Sequence, residues 1–329
     1  MPASCPSGGP CTTRSWAIRT AGPTRSHPCR PRRRPPPRSR AEGHLDGRPQ
    51  QRERAEALRG LHQGPRLLLL PNVWDVASAR IVEAAGFPAL ATTSAGIAFA
   101  LGYADGERIS RAEMAEAVRR IAARVRVPVT ADMEAGYGRT PESAADTVRA
   151  AIAAGAVGMN LEDAPADGSG SLFDDQLQVE RVRAAREAAG AAGVPFVINA
   201  RTDVFLNRIG APETRIGHAA RRLNAYREAG ADCLFAPGVT DRETIATLVR
   251  AVAGPLNVLA GPGCPPVPEL EALGVRRLSL GSGAMRATLG LLRRIAEELR
   301  GPGTLTALGG EGVPTHADVN RLMGDDAAT

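Results

Sequence analysis

The sequence predicts an α/β fold, a (β/α)₈ TIM barrel with a C-terminal helical extension. Three observations carry that expectation. From about residue 52 short apolar runs alternate with helical patterns, and the beat recurs eight times. Each apolar run reads as unalternating, as strands covered on both faces do, and each helical stretch has an apolar stripe ending in Gly or near Pro. The span 52–302 is about the 250 residues that such a barrel takes. An open doubly wound sheet is the competitor, but no G-x-G-x-x-G follows the first strand.

The chain opens with a segment that does not share this beat. Residues 1–51 are rich in Arg and Pro, with PRRRPPPRSR at 31–40. Few aliphatic residues are present to offset the entropy of ordering, so disorder is expected. Ten arginines stand against Glu42 and Asp46 in residues 1–50, a balance of +8. Since the whole chain carries +6, the remainder holds 6 − 8 = −2. The arm could bind nucleic acid electrostatically. An incidental extension ranks above that reading, because the body is slightly acidic and the arm has no aromatic interleaving beyond Trp16.

The eight units then follow in order. RLLLLPN (66–72) precedes the helical 77–86, ALATTSAG (89–96) precedes 110–125, and PVTADME (128–134) precedes 142–155. VGMNLED (157–163) leads to 174–190, PFVINARTD (195–203) to 218–230, and CLFAPG (233–238) to 241–252. LNVLAG (256–261) precedes 267–274, and RRLSLGS (276–282) precedes 284–301. Residues 303–329 are a tail, expected to form a short helix.

Composition removes several classes of function. No apolar run approaches the length of a membrane span, so no membrane partner is expected. Five cysteines at scattered positions suit a reducing, cytoplasmic compartment rather than a disulfide framework. The chain contains no lysine, which excludes a Schiff-base lysine and a P-loop lysine. His62, His218 and His316 fall at no strand end and read as surface residues, so a histidine-dependent zinc site or acid–base dyad is not expected.

In a barrel of this kind the active site lies at the carboxyl ends of the strands. The third strand ends in Asp132 and Glu134, two apart and so expected to share a face. The second ends in Thr93 and Ser94 with Asp105 in its loop, the fourth in Glu162 and Asp163, the fifth in Arg201 and Asp203. So many carboxylates at one mouth need a cation, and hard oxygen donors suit Mg²⁺, with Mn²⁺ as its alternative. Arg201 offers a fork for a carboxylate or phosphate, although an ion pair with Asp203 is the plainer reading of it. Thr93, Ser94 and nearby amides offer donors for an oxyanion. Together these suit a small anionic 2-oxo acid reacting through its enolate.

VTADMEAGYG, MNLEDA and INARTDVFL, in that order on successive strands, resemble the metal and substrate strands of the isocitrate lyase/phosphoenolpyruvate mutase superfamily. PNVWDVASARIVEAAGFPALATTSAG and LGYADGE resemble its first two units, and the likeness spans roughly 60–300. The resemblance implies Asp132, Glu134 and Glu162 as the metal residues, Asp132 being the most direct ligand and Glu134 standing where an aspartate is usual. It implies that Asp105 and Glu162 hold metal-bound water, that Arg201 and Asp105 serve the reaction, and that Thr93, Ser94 and Ala95 with Arg201 cradle the substrate. It also implies a homotetramer, a dimer of dimers, in which residues 284–323 pack on a neighbour.

The departures bear on the reaction. The loop after the fourth strand, DAPADGSGSLFDDQLQ (163–178), has no cysteine, histidine or lysine where the lyases of the superfamily carry a Lys-Cys-Gly-His signature. It also lacks the asparagine with which the phosphonate-processing members enclose a phosphoryl group. A Mg²⁺-dependent C–C lyase, oxaloacetate decarboxylase-like or methylisocitrate lyase-like, is therefore expected. P–C bond chemistry of the phosphoenolpyruvate or phosphonopyruvate mutase type is the alternative.

Overall fold

The structure, a computed structural model, describes residues 47–310 and 312–324. Residues 1–46 of the Arg/Pro-rich arm lie outside them. The strands are β1 (Leu68–Leu70), β2 (Asn72–Val73), β3 (Leu90–Thr92), β4 (Val129–Asp132), β5 (Gly158–Glu162), β6 (Val197–Arg201), β7 (Cys233–Phe235), β8 (Leu256–Leu259) and β9 (Arg277–Ser279). All pair in parallel, in the order β1-β9-β8-β7-β6-β5-β4-β3-β2.

β1 and β2 are two halves of one predicted strand, divided at Pro71. β1 pairs with β9, Leu68 opposite Arg277, while β2 pairs with β3, Asn72 opposite Ala91. The strand changes neighbour at a residue that has no N–H to give a ladder. The sheet thus closes into the expected (β/α)₈-type barrel with C-terminal helices. Asn72 fastens the seam. Its Nδ2 donates to Thr92 O at 2.7 Å, and its Oδ1 accepts from Leu280 N and Gly281 N at 2.7 and 2.9 Å.

The crossover helices are α2 (Val76–Ala84), α4 (Arg111–Ala122), α5 (Pro141–Ala153), α6 (Asp175–Ala191), α7 (Arg215–Glu228), α8 (Arg242–Ala251), α9 (Val267–Leu273) and α10 (Gly283–Arg300). Their starts are set locally. Asp75 with Ser78 and Ser110 with Glu113 form capping boxes, and Thr140, Asp174 and Asp241 accept from backbone amides of the first turn. Two helices escaped the sequence reading, α1 (Gly47–Gln63) and the short α3 (Ser94–Ala100). α1 starts ahead of residue 52, where the regular beat was expected to begin.

The strands do alternate, contrary to the expectation of unalternating apolar runs. Ala131, Met159, Leu161, Ile198, Ala200, Leu234, Val258 and Leu278 face the helices in the main apolar core. Between them Asp132, Asn160, Asn199, Asn257, Arg277 and Ser279 are buried and face inward. The lower interior is apolar. Leu68, Leu70, Ala89, Ala91, Val157 and Val197 close there around Ala55 and Leu58 of α1, which plugs the amino end of the barrel. Gly158 permits this approach, since a Cβ there would stand 2.8 Å from Val197 O and 3.1 Å from Leu58. His62 of the same helix is buried rather than on the surface.

After β9, α10 leaves much of its apolar stripe in solvent. Leu289, Leu292 and Leu299 are exposed, and Met285 is the one buried residue of that helix. A last helix, α11 (His316–Met323), ends with Leu322 O accepting from Arg80 Nε at 2.9 Å and Met323 O from Arg124 at 2.8 Å.

Candidate active site

Carboxylates gather at the carboxyl mouth of the barrel. Asp132, the last residue of β4, is 8% exposed, and each oxygen of its side chain is already oriented. Oδ2 accepts from Ser94 N at 3.0 Å and Ser94 Oγ at 2.8 Å, and Oδ1 accepts from Asn160 Nδ2 at 3.2 Å. Thr92 Oγ1 accepts from the Asp132 amide at 2.8 Å.

Glu134 arrives differently from the way the strand spacing suggested. β4 has ended by then, and Glu134 adopts φ +50°, a left-handed backbone that a glutamate rarely takes. Glu107 and Tyr137 share that conformation, at φ +53° and +56°. The three are interlocked. Glu107 N donates to Glu134 Oε2, Tyr137 N donates to Glu107 Oε1 at 2.7 Å, and Tyr137 Oη donates to Glu134 Oε1 at 3.4 Å. Arg181 of α6 holds the turn from below, donating to Ala135 O and Gly138 O while its guanidinium lies 4.4 Å from the Phe173 ring. Such local strain, over-determined by its surroundings, is a mark of functional sites.

Arg201, at the end of β6, faces two carboxylates. Its Nε and Nη2 donate to Asp203 at 2.6 and 3.0 Å, and its Nη1 donates to Glu162 Oε1. Three of the five guanidinium N–H groups are thereby used, leaving one on each terminal nitrogen. Both readings of Arg201 thus coexist in one geometry, an ion pair with Asp203 and a fork with donors to spare.

Electrostatics follow from crowding and burial. Glu134 is raised to about 7, chiefly by burial and further by Asp132, Asp105 and Glu107. Burial also raises Glu162, against the pull of Arg201, and Asp105, with Asp132 adding to it. Asp105 itself stands at the solvent-exposed rim of the mouth. Among the described residues no three His, Cys, Asp or Glu side chains form a ready metal cage. The donor set nevertheless fits a hard cation that takes one or two direct carboxylates and keeps its water, because the mouth holds more desolvated carboxylates than Arg201 neutralises.

Thr93 and Ser94 are committed to the framework. Thr93 Oγ1 accepts from Gly96 N at 3.3 Å as the cap of α3, and Ser94 spends both donors on Asp132. Ala95 follows in the first turn of α3. Gly96 is required there, since a Cβ would come within 2.5 Å of Thr93 Cγ2 and 3.0 Å of Trp74 Cβ.

The loop after β5 leaves the carboxyl end of the barrel and is pinned at its base. Phe173 N donates to Asp163 O at 2.7 Å. Asp163, fully buried, accepts from Arg222 Nε and Tyr226 Oη at 2.8 Å each and from Asp203 N at 2.9 Å. The tip is held by an exposed pair, Arg139 with Asp167 at 2.9 Å.

Glu107, Tyr137, Arg181 and Asn160 were not singled out from the sequence. The first three depend on turns that bring distant loops together. Asn160 had a legible signal, the inward N-x-E spacing with Glu162.

Known proteins share this architecture. The phosphoenolpyruvate phosphomutase family profile matches residues 58–300. An oxaloacetate decarboxylase of Bradyrhizobium sp. is 32% identical over 215 residues, 64% of this chain and 72% of that protein. A phosphoenolpyruvate phosphomutase of Streptomyces hygroscopicus is 31% identical over 255 residues, 74% of this chain and 79% of that one. Among solved structures, a Burkholderia cenocepacia protein classed only as a lyase/mutase superposes with a TM-score of 0.77 at 42% identity, covering 83% of this chain and 96% of the other. A 2,3-dimethylmalate lyase, a member of the PEP mutase/isocitrate lyase superfamily, gives 0.72 at 30% identity over 83% and 96%. A phosphonopyruvate hydrolase in complex with oxalate and Mg²⁺ gives 0.73 at 25% over the same shares.

Proposed function

The chain belongs to the phosphoenolpyruvate phosphomutase family and is similar to lyases and mutases of the isocitrate lyase superfamily, and from that premise we propose that it is a Mg²⁺-dependent C–C lyase. Its substrate would be a small 2-oxo or 2-hydroxy acid that reacts through an enolate, as in decarboxylation of oxaloacetate. One observation carries this reading: a ring of carboxylates, most of them desolvated, around a single half-committed guanidinium, beside a loop whose polar side chains are only acids and serines. Such a mouth provides for one substrate carboxylate and a hard cation.

The residues divide the work. Asp132, oriented by Ser94 and Asn160, would hold the cation directly, with Glu134, Glu162 and Asp105 as the outer carboxylates around it. Mg²⁺, or Mn²⁺ in its place, supplies Lewis acidity toward the 2-oxo group and the negative charge that develops there. Arg201, held square by Asp203, binds the substrate carboxylate through its two remaining N–H donors. The amides and side chains of Thr93, Ser94 and Ala95 wall the opposite side. The 163–174 loop excludes water while offering no thiol or imidazole to the departing carbon.

P–C bond chemistry is the second reading, favoured by the 31% identity to a phosphoenolpyruvate phosphomutase. Oxaloacetate, methylisocitrate, phosphonopyruvate and phosphoenolpyruvate, each assayed with Mg²⁺ for pyruvate and phosphate, separate the two. Pyruvate without phosphate supports the lyase, and conversion of the phosphorus compounds alone overturns it. The scattered cysteines suit a cytoplasmic enzyme. A nucleic-acid role for the arginine arm is the weakest reading, and full activity after deletion of residues 1–46 removes it.

A further inference from the structure

Beneath the mouth, the barrel encloses a cation without a counter-ion. Arg277 of β9 is 1% exposed, and among the described residues no carboxylate lies within ion-pair distance of it. Its Nε has no partner. Burying a guanidinium in this way carries a desolvation cost that an apolar side chain of the same volume would avoid. Filling the barrel does not require Arg277.

Its contacts run in two directions. Below, Arg277 Nη1 stands 3.4 Å from His62 Nε2. His62 Nδ1 lies 2.8 Å from Leu58 O, which can only accept, so Nδ1 carries the proton and Nε2 presents its lone pair to Arg277. Burial and the neighbouring guanidinium hold the His62 imidazole near a pKa of about 4, so it stays neutral and accepting. Above, Arg277 Nη2 donates to Asn160 Oδ1 at 3.4 Å, and Asn199 Nδ2 donates to the same oxygen at 2.7 Å. Two donors on one oxygen leave Asn160 a single amide orientation, with Nδ2 toward Asp132 Oδ1 at 3.2 Å. A directed column thus joins α1 at the amino end to the carboxylate at the carboxyl end.

We propose that Arg277, seated on His62, is a positioning residue that locks the Asn160 amide and through it the orientation in which Asp132 meets a divalent cation. This rests on the reading of Asp132 as the metal ligand. The affinity of the mouth for a cation is therefore set in part from the opposite end of the barrel. Asn160 bonds the ligand itself, a position worth about 10- to 100-fold in metal affinity, and Arg277 acts through it.

The test is a Mn²⁺ titration of the full chain, followed by calorimetry and by the electron paramagnetic resonance signal of the bound ion, with melting temperature recorded alongside. Arg277→Met weakens binding by about 10- to 100-fold, and Arg277→Lys, which keeps a charge and donors, recovers part of it. Leu278→Ala, one residue on and facing the helices, lowers the melting temperature and leaves the affinity unchanged. Wild-type protein that binds no Mn²⁺, or Asp132→Ala that binds as wild type does, overturns the reading of the mouth and this inference with it. If wild type binds and Asp132→Ala does not, then Arg277→Met within twofold of wild type overturns this inference alone, as does a loss equalled by Leu278→Ala. If Arg277→Met fails to fold, His62→Leu carries the test: it strips the acceptor from Nη1 and must weaken Mn²⁺ binding, and unchanged affinity overturns the inference.

Discussion

Glu134 reaches the mouth through a left-handed turn rather than by strand alternation, and it is there one of several buried acids with a single arginine among them. Its raised value has a thermodynamic consequence. The unfolded chain releases this proton near pH 4.5, whereas the fold keeps it to about 7, so between those values the folded state binds more protons. Metal-free protein is therefore expected to lose stability as pH rises through that window, by about 3 kcal/mol from Glu134, with Glu162 adding in the same direction. A cation reverses this by favouring the ionised carboxylates. Thermal melts at pH 5 and 8 with and without Mg²⁺ check it, and a Mg²⁺ increment that does not grow with pH counts against it. Arg201 makes the companion prediction. Arg201→Lys keeps the charge but not the fork on Asp203, and kcat/KM with oxaloacetate should fall roughly 10- to 100-fold, as for loss of a charge-assisted pair.

At the scale of elements, the loop after β5 combines a rigid base with a light latch. Arg222 and Asp163 are almost wholly buried and also engage Tyr226, Phe173 and Asp175. Arg222→Met leaves Asp163 buried without its cation and is expected to cost about 3–5 kcal/mol in urea unfolding. Arg139→Met breaks the exposed pair with Asp167 and the guanidinium contact 5.3 Å from the Phe173 ring centroid, and should cost about 1 kcal/mol. Equal costs would show that the loop is not anchored where the geometry anchors it. The strands and crossover helices were legible one by one, because capping residues, terminal glycines and apolar stripes act within a few residues of themselves. α3 was missed, since seven residues beginning inside TTSAG give no helical period. α1 was missed because its mean hydropathy is low and it adjoins the Arg/Pro-rich arm.

The molecule as a whole has two ends with different tasks. α1 closes the amino end with Leu58 and His62, and the carboxyl end gathers the acids. Beside them α10 exposes Leu289, Leu292 and Leu299 on one helix, and Leu305 and Leu308 follow. An unpartnered apolar face of this kind suits the dimer of dimers that the superfamily resemblance implies. Sedimentation of wild type is expected to give a tetramer and that of Leu292→Glu/Leu299→Glu a smaller species. A monomeric wild type sinks the idea.

The sequence by itself determined the barrel, the order of its units, and which strand ends bear acids and Arg201, because these follow from local periodicity and from the rule that barrel loops share one face. It also carried, unread, the alternation in ADME, NLE, INAR and RLS that makes the interior polar. Only the tertiary structure decided what each charged group does. Asn160 and Arg277 lie 117 residues apart in the chain and His62 and Arg277 215 apart, and their contacts exist only once the barrel closes through Pro71. Hydrogen-bond direction, burial and the count of unneutralised carboxylates are properties of that closed space, and no stretch of chain holds them alone.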